Sequence, residues 1–255
     1  MPRLPALALL AALLFPLAAT AQPSAAPSSS ALPSAFSEAQ RREIVEILRH
    51  ALRTDPSILR DAVAAIQAED KRSESAAAGA AIARNLDALT RAPGDPVVGN
   101  PNGDVTVVEF YDIRCPYCRR MLPTIAALLK SDPNIRLVYK DIPILGPGSV
   151  IAARAVLAAQ RQGAYLRMHD ALMSGPAQID TDVVKATTQR LGLDWERLQR
   201  DMADPAIQAR LEANLKLART LDIEGTPAYV IGQQLLPGAV SLADLKDMIA
   251  LARRR

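Results

Sequence analysis

Cysteine is nearly missing from this chain: 255 residues hold two, Cys115 and Cys118, two positions apart. So few thiols argue against a small scaffold stapled by several disulfides. Their closeness argues against a structural bridge, whose effect on the unfolded state grows with the loop it closes. Histidine is equally scarce. His50 and His169 lie far from the cysteines in sequence, which makes a zinc site with about four ligands a poor reading. Copper(I) held by two thiolates is a little better. Excess charge is lacking too, with 30 Lys and Arg against 27 Asp and Glu, so nothing draws the chain electrostatically to nucleic acid. No nucleophile elbow precedes a plausible base, which removes a Ser-His-Asp hydrolase. There is no evident internal repeat, and past residue 21 no run resembles a membrane span.

Met1 to Ala21 carries Arg3, an apolar run from Leu4 to Leu17, and Ala19-Thr20-Ala21. This is the pattern of a cleavable secretory signal peptide, too short and too proline-interrupted to be an anchor. No cysteine stands at the cleavage site, which argues against a lipoprotein. Removal of residues 1–21 leaves 29 basic against 27 acidic residues. An exported redox protein of the periplasm is expected. Residues 22–35, rich in Pro, Ala and Ser, should form a flexible leader.

Residues 36–92 read as a helical extension. Ser37 and Gln40 make a capping-box pattern, followed by Ile44, Ile47, Leu48 and Leu52 on one face of a helix ending near Thr54. Asp55-Pro56 opens a second helix, with Leu59, Val63, Ile66, Ile82, Leu86 and Leu89 as its apolar positions. Gly79 in an alanine-rich stretch leaves its continuity in doubt. Short helices with unburied stripes are marginal alone in water, which favours self-association into a homo-oligomer over packing back on the main domain.

What is present centres on Cys115-Pro116-Tyr117-Cys118. Val105 to Tyr111 reads as a mostly buried strand, and Met121, Leu122, Ile125, Leu128 and Leu129 recur at helical spacing after the pair. The cysteines therefore sit at a strand-to-helix junction, with Pro116 suited to the first turn. Cys115 falls at the helix N-terminus, where free N–H groups and the helix dipole favour a thiolate, the reactive form in disulfide exchange. The main domain starts near residue 93, with an edge strand at Pro96–Gly99 and another strand at Ile135–Lys140. Helical patterns fill about 149–221, then come a hairpin from Ala228 to Leu236 and a final helix capped by Ser241 and Asp244. A βαβ unit, a helical insertion and a ββα unit make an α/β thioredoxin fold interrupted by an α-domain.

Three motifs in order carry a resemblance: Phe110-Tyr111-Asp112 leading into Cys-Pro-Tyr-Cys, Tyr139-Lys140-Asp141-Ile142-Pro143, and Gly225-Thr226-Pro227-Ala228. Over residues 93–255 the chain resembles the DsbA-like thioredoxin family, and its helical extension is similar to that of the oligomeric ScsC branch. The resemblance implies a protein disulfide oxidoreductase or isomerase with Cys115 as exposed nucleophile and Cys118 as resolving thiol. It implies no metal or organic cofactor, since the reversible Cys115–Cys118 disulfide carries the electrons. Its partners would be exported cysteine-containing proteins and a membrane oxidase or reductase, with the direction of electron flow left open. Thr226 and Pro227 match the family's cis-proline loop. Thr226, Pro116 and Tyr117 would meet the substrate, and Pro227 belongs with the catalytic set. Glu109 matches the buried acid that relays a proton for Cys118, and Lys140 is expected to pair with it, because an isolated charge there is costly. Tyr117 brings no positive charge where the strongly oxidising DsbA enzymes have histidine, which implies a less oxidising pair. Arg114, Arg119 and Arg120 are close enough in sequence to offset this. The alternative from another class is copper(I) sequestration by the same two thiols.

Overall fold

The computed structural model describes residues 36–254; the expected signal peptide and leader lie outside the described residues. The chain divides into two compact units at Asp61 and Ala62.

In the first unit, α1 (Glu38–Thr54) starts with the expected capping box. The Ser37 hydroxyl accepts from the Gln40 N–H, and the Gln40 side chain accepts from the Ser37 N–H at 2.8 Å. None of α1 is buried: Ile47 is 62% exposed and Leu48 56%. The second helix, α2 (Ser57–Arg84), begins where Asp55 accepts the Ser57 N–H at 3.0 Å.

In the second unit α2 runs unbroken past Gly79, against the expectation of doubtful continuity. A Cβ there would stand 3.2 Å from the Gln233 carbonyl oxygen, so glycine permits a close approach to the β-hairpin. α3 (Leu86–Thr90) follows. The single stripe expected from Leu59 to Leu89 splits in two. Val63 and Ile66 stay exposed, whereas Ile82 and Leu89 are buried in a cluster with Val108, Phe110 and Val230. The reason is that a strand with parallel neighbours must be covered on both faces, and the end of α2 with α3 helps to cover one of them.

A five-stranded mixed sheet runs in the order β1-β3-β2-β4-β5. β1 (Val97–Gly99) is an antiparallel edge on β3 (Ile135–Asp141), which lies parallel to β2 (Val105–Tyr111). α4 (Pro116–Ser131) connects β2 to β3. β4 (Ala228–Ile231) pairs antiparallel with β2, and β5 (Gln234–Pro237) with β4. α10 (Leu242–Arg253) closes the unit, its Ser241–Asp244 capping box formed.

The insertion consists of α5 (Pro147–Gln160), α6 (Tyr165–Met173), α7 (Thr181–Arg190), α8 (Trp195–Met202) and α9 (Pro205–Thr220). Alanines along α5 let its neighbours approach closely, and most of that helix is buried. α6 fastens the insertion to the sheet through a polar aromatic cluster. The Tyr111 hydroxyl donates to Asp141 and lies 2.7 Å from the Tyr165 hydroxyl. His169 is a packing residue. Its ring is fully buried among Tyr111, Tyr139 and Tyr165, at centroid distances of 5.1, 4.9 and 5.9 Å.

Candidate active site

β2 ends at Tyr111, and four residues later Cys115 occupies the N-cap of α4 in extended conformation, with Pro116 in the first turn. The Cys115 N–H donates to the Asp112 carbonyl at 3.0 Å, which fixes the entry into the helix. Because Ala228 on β4 is registered against Phe110 on β2, the segment preceding β4 is brought beside the start of α4. Its Thr226–Pro227 bond is cis. In its protonated form the Cys115 thiol donates to the Thr226 carbonyl at 3.2 Å. Local sequence alone places the cysteines; the antiparallel β2–β4 register brings residue 226 to them.

Both cysteines are free thiols, and both are buried: Cys115 is 4% exposed and Cys118 2%. The expectation of an exposed Cys115 is therefore corrected. Cys115 packs into the core of the unit beside the Thr226 carbonyl, so ionisation rather than exposure separates the two thiols. Cys115 is held down to about 5, chiefly by the hydrogen bond from Cys118. Burial opposes this; the Thr226 side chain and the backbone N–H groups of Cys118 and Tyr117 reinforce it. Cys118 is pushed far up, because its thiol is hydrogen-bonded to Cys115 and buried. One thiol is a thiolate at neutral pH and its neighbour keeps its proton.

The nearby arginines are engaged by backbone carbonyls and by the Tyr117 ring. Arg119 donates to the carbonyls of Ile113, Leu172, Gly175 and Pro176 at 2.8–3.2 Å. It thereby ties the loop before the cysteines to the end of α6 and the residues beyond. Arg114 donates to the carbonyls of Leu145 and Ala177. Arg120 sits 4.3 Å above the Tyr117 ring, a cation–π contact. Tyr117 itself is 52% exposed beside the pair.

Glu109 lies within the buried strand β2 and is 3% exposed. Burial pushes its carboxyl up to about 8, opposed by a hydrogen bond from the Tyr229 hydroxyl to Oε1 at 3.1 Å. Oε2 is buried and has no hydrogen-bond partner. A carboxyl held this high keeps its proton through neutral pH, and its charge, when present, helps to push Cys118 up.

The expected Glu109–Lys140 pair is not formed. Glu109 is registered with Tyr139 and Phe110 with Lys140. Successive side chains on a strand point to opposite faces, so the two residues lie on opposite sides of the sheet. The Lys140 ammonium instead donates to Asp95 and to the Ala88 carbonyl. It is a structural cation of the face opposite Glu109, and burial pulls its pKa down. Among the described residues no group of three or more His, Cys, Asp or Glu side chains is arranged to hold a metal ion.

A sequence model of the DSBA-like thioredoxin domain matches residues 106–250. The chain belongs to the DsbA-like thioredoxin family. Among solved structures it is similar to a thioredoxin-like oxidoreductase from Silicibacter pomeroyi DSS-3. That chain is 46% identical, with a TM-score of 0.65, over 66% of this chain and 98% of that one. ScsC from Proteus mirabilis, in a transitional conformation, is 30% identical with a TM-score of 0.62. The match covers 86% of this chain and 97% of that one. Among curated sequences the chain is 31% identical over 160 residues to the Na(+)/H(+) antiporter NhaA 1 of Salinispora arenicola. The match covers 62% of this chain and 24% of the antiporter, so this chain spans about a quarter of that relative's length.

Two residues of this DsbA-like site, Asp112 and Tyr229, were given no role by the sequence, and the structural role of Arg119 was not foreseen. Asp112 is buried, and its carboxylate accepts the N–H groups of Arg114, Ile144 and Leu145 at 2.8–3.1 Å. It joins the loop before the cysteines to the loop after β3, which presents Ile144 and Leu145 as exposed apolar surface. Its place in the Phe-Tyr-Asp motif was a usable signal. Tyr229 left no such signal, because its partner Glu109 lies 120 residues away; the structural role of Arg119 was hidden because all but one of its carbonyl partners lie 53 or more residues away.

Pro227 is expected to matter through the Thr226 carbonyl it helps to present to Cys115. Replacement by Ala or Thr should lower kcat/KM for a peptide disulfide about tenfold, with an unchanged far-UV spectrum. Steady-state exchange equal to wild type would remove Pro227 from the site.

Proposed function

We propose that this chain is a periplasmic thiol–disulfide oxidoreductase that exchanges disulfides with cysteines of exported proteins. The observation that carries the reading is the opposed ionisation of two adjacent buried thiols, Cys115 held down to about 5 and Cys118 pushed up. Family membership and the oxidoreductase among its relatives support it. In oxidation, a substrate thiolate attacks the Cys115 sulfur of the Cys115–Cys118 disulfide, and Cys118 leaves and takes up a proton. A second substrate thiolate then attacks the substrate sulfur of the mixed disulfide and releases Cys115 as a thiolate. Two electrons pass from substrate to protein and one disulfide replaces another. Reduction runs the same steps backwards. Thr226, Pro116 and Tyr117 flank the reacting sulfur as substrate contacts, and Glu109 serves as the proton relay for Cys118. The reversible disulfide carries the electrons without a metal or organic cofactor, and a membrane oxidase or reductase resets it. Among the described residues no helix is long and apolar enough to cross a membrane.

The same reading makes the outer part of the 36–92 extension, up to Ile66, an oligomerisation region, since its end is buried on the sheet through Ile82 and Leu89. The exposed Ile44, Ile47, Leu48, Ile58 and Leu59 support this, since several such side chains left in water favour association.

The test is exchange with a peptide disulfide, combined with alkylation trapping of the pair in the exporting cell. A mostly oxidised pair marks an oxidase and a mostly reduced pair an isomerase or reductase. A pair that exchanges with no peptide disulfide sinks the proposal.

A further inference from the structure

Glu109 and Tyr229 are direct partners across the β2–β4 ladder. In an antiparallel pair, opposite side chains share one face of the sheet and stand close together. The Tyr229 hydroxyl donates to Glu109 Oε1 at 3.1 Å, and Tyr229 is fully buried. Glu109 Oε2 is buried as well and without a partner. A carboxyl group in that position has one oxygen engaged by a fixed donor and one lone oxygen for proton exchange. Without the tyrosine both oxygens would be unpartnered, and nothing would distinguish the one that exchanges.

We propose that the Tyr229 hydroxyl is a positioning group for proton transfer to and from Cys118: it engages Glu109 Oε1 and confines the exchangeable proton to Oε2. The inference rests on the relay role assigned to Glu109 above. In the resolving step a Cys115–glutathione mixed disulfide is attacked by the Cys118 sulfur. The Cys118 proton passes by way of a water to Glu109 Oε2, the new Cys115–Cys118 bond forms, and glutathione leaves as a thiolate. Tyr229 keeps its own proton throughout, since burial and the neighbouring Glu109 push its hydroxyl far above the usual range. It acts as a hydrogen-bond donor, and donation to the carboxylate favours the charged form of Glu109. A phenylalanine preserves the ring and its packing while removing only that donation.

The experiment uses the full secreted chain, reduced and mixed rapidly with excess glutathione disulfide. Acid quench then follows conversion of the mixed disulfide to the intramolecular one from pH 6 to pH 10. In the wild type the resolving rate should rise through an inflection near pH 8, where Glu109 titrates. In Tyr229→Phe the inflection should move up by about one pH unit, making resolution at pH 7 about tenfold slower. In Glu109→Gln the inflection should vanish, and the double variant should match Glu109→Gln, because a residue acting through another adds nothing once that other is gone. A Tyr229→Phe profile superimposable on wild type, with the inflection still lost in Glu109→Gln, overturns the role of Tyr229 alone. An unchanged inflection in Glu109→Gln overturns the relay and this inference together. A double variant much slower than Glu109→Gln also overturns it, since Tyr229 would then act on its own. Tyr229→Met serves as a second hydroxyl-free side chain. Loss of the folded state in both variants counts against the proposal, assigning the residue to packing.

Discussion

Cys115→Ser is expected to abolish disulfide exchange, whereas Cys118→Ser should accumulate mixed disulfides between Cys115 and substrate cysteines. Both thiols are nearly equally buried, so the asymmetry rests on protonation. Cys115 has its thiolate favoured to about 5, and without Cys118 nothing inside the protein resolves the bond it makes. The loss in Cys115→Ser should reach background, several orders of magnitude in rate. The pH dependence follows from the same shift. The Cys115 pKa is lowered by folding, so the thiolate stabilises the reduced protein above the unfolded thiol's value, near 9. That contribution fades as pH falls and is gone below about 5. Iodoacetamide alkylation of Cys115 should therefore have its midpoint near pH 5, with Cys118 unmodified at that pH. Removing Cys118 also removes the largest hydrogen bond to the thiolate, so the midpoint in Cys118→Ser should depend on how well serine replaces it as a donor. Equal alkylation of both thiols at mildly acidic pH would overturn the assignment.

The second large effect concerns assembly. The protein from residue 22 should scatter light as a dimer or trimer, and Ile47→Glu with Leu48→Glu should reduce it to a monomer. Each of these side chains is more than half exposed in the single chain. Burying one is worth roughly 1.5–3 kcal/mol, so several per subunit are enough to hold an assembly. An oligomer places several Cys115 thiolates within reach of one scrambled substrate, and the linked sites act at high effective concentration. Refolding of a scrambled disulfide protein should slow by about tenfold in the monomeric variant, while exchange with a short peptide stays unchanged. A monomeric wild type, or refolding unaffected by the two substitutions, would sink the idea. A truncation should begin near residue 70. A cut at residue 93 would remove Ile82 and Leu89, which lie in the core with Val108 and Phe110. It would confuse loss of assembly with loss of fold.

Much of the site was legible without the structure, for local reasons. The Val105–Tyr111 strand follows from its run of β-branched and aromatic residues, and the Met121–Leu129 stripe from period-3.6 patterning. The capping boxes at Ser37 and Ser241 follow from side chains three residues apart, and the cysteine pair from its place between strand and helix. Gly225-Thr226-Pro227 was found by resemblance to a known motif, because its partner, Cys115, lies 111 residues away. The partner of Lys140 could not be read this way. Assigning it to Glu109 required knowing that the parallel β2–β3 register sets Glu109 beside Tyr139 and turns Lys140 to the other face, where Asp95 meets it. Residue types and local spacing determined where the reactive sulfurs stand and which chemistry they carry. Strand register and packing across long sequence separations decided the rest: that Cys115 is covered, that Arg119 is engaged by backbone carbonyls, and that Tyr229 faces Glu109. These depend on which distant groups share one face of the sheet, a property of the folded ladder that no short segment contains.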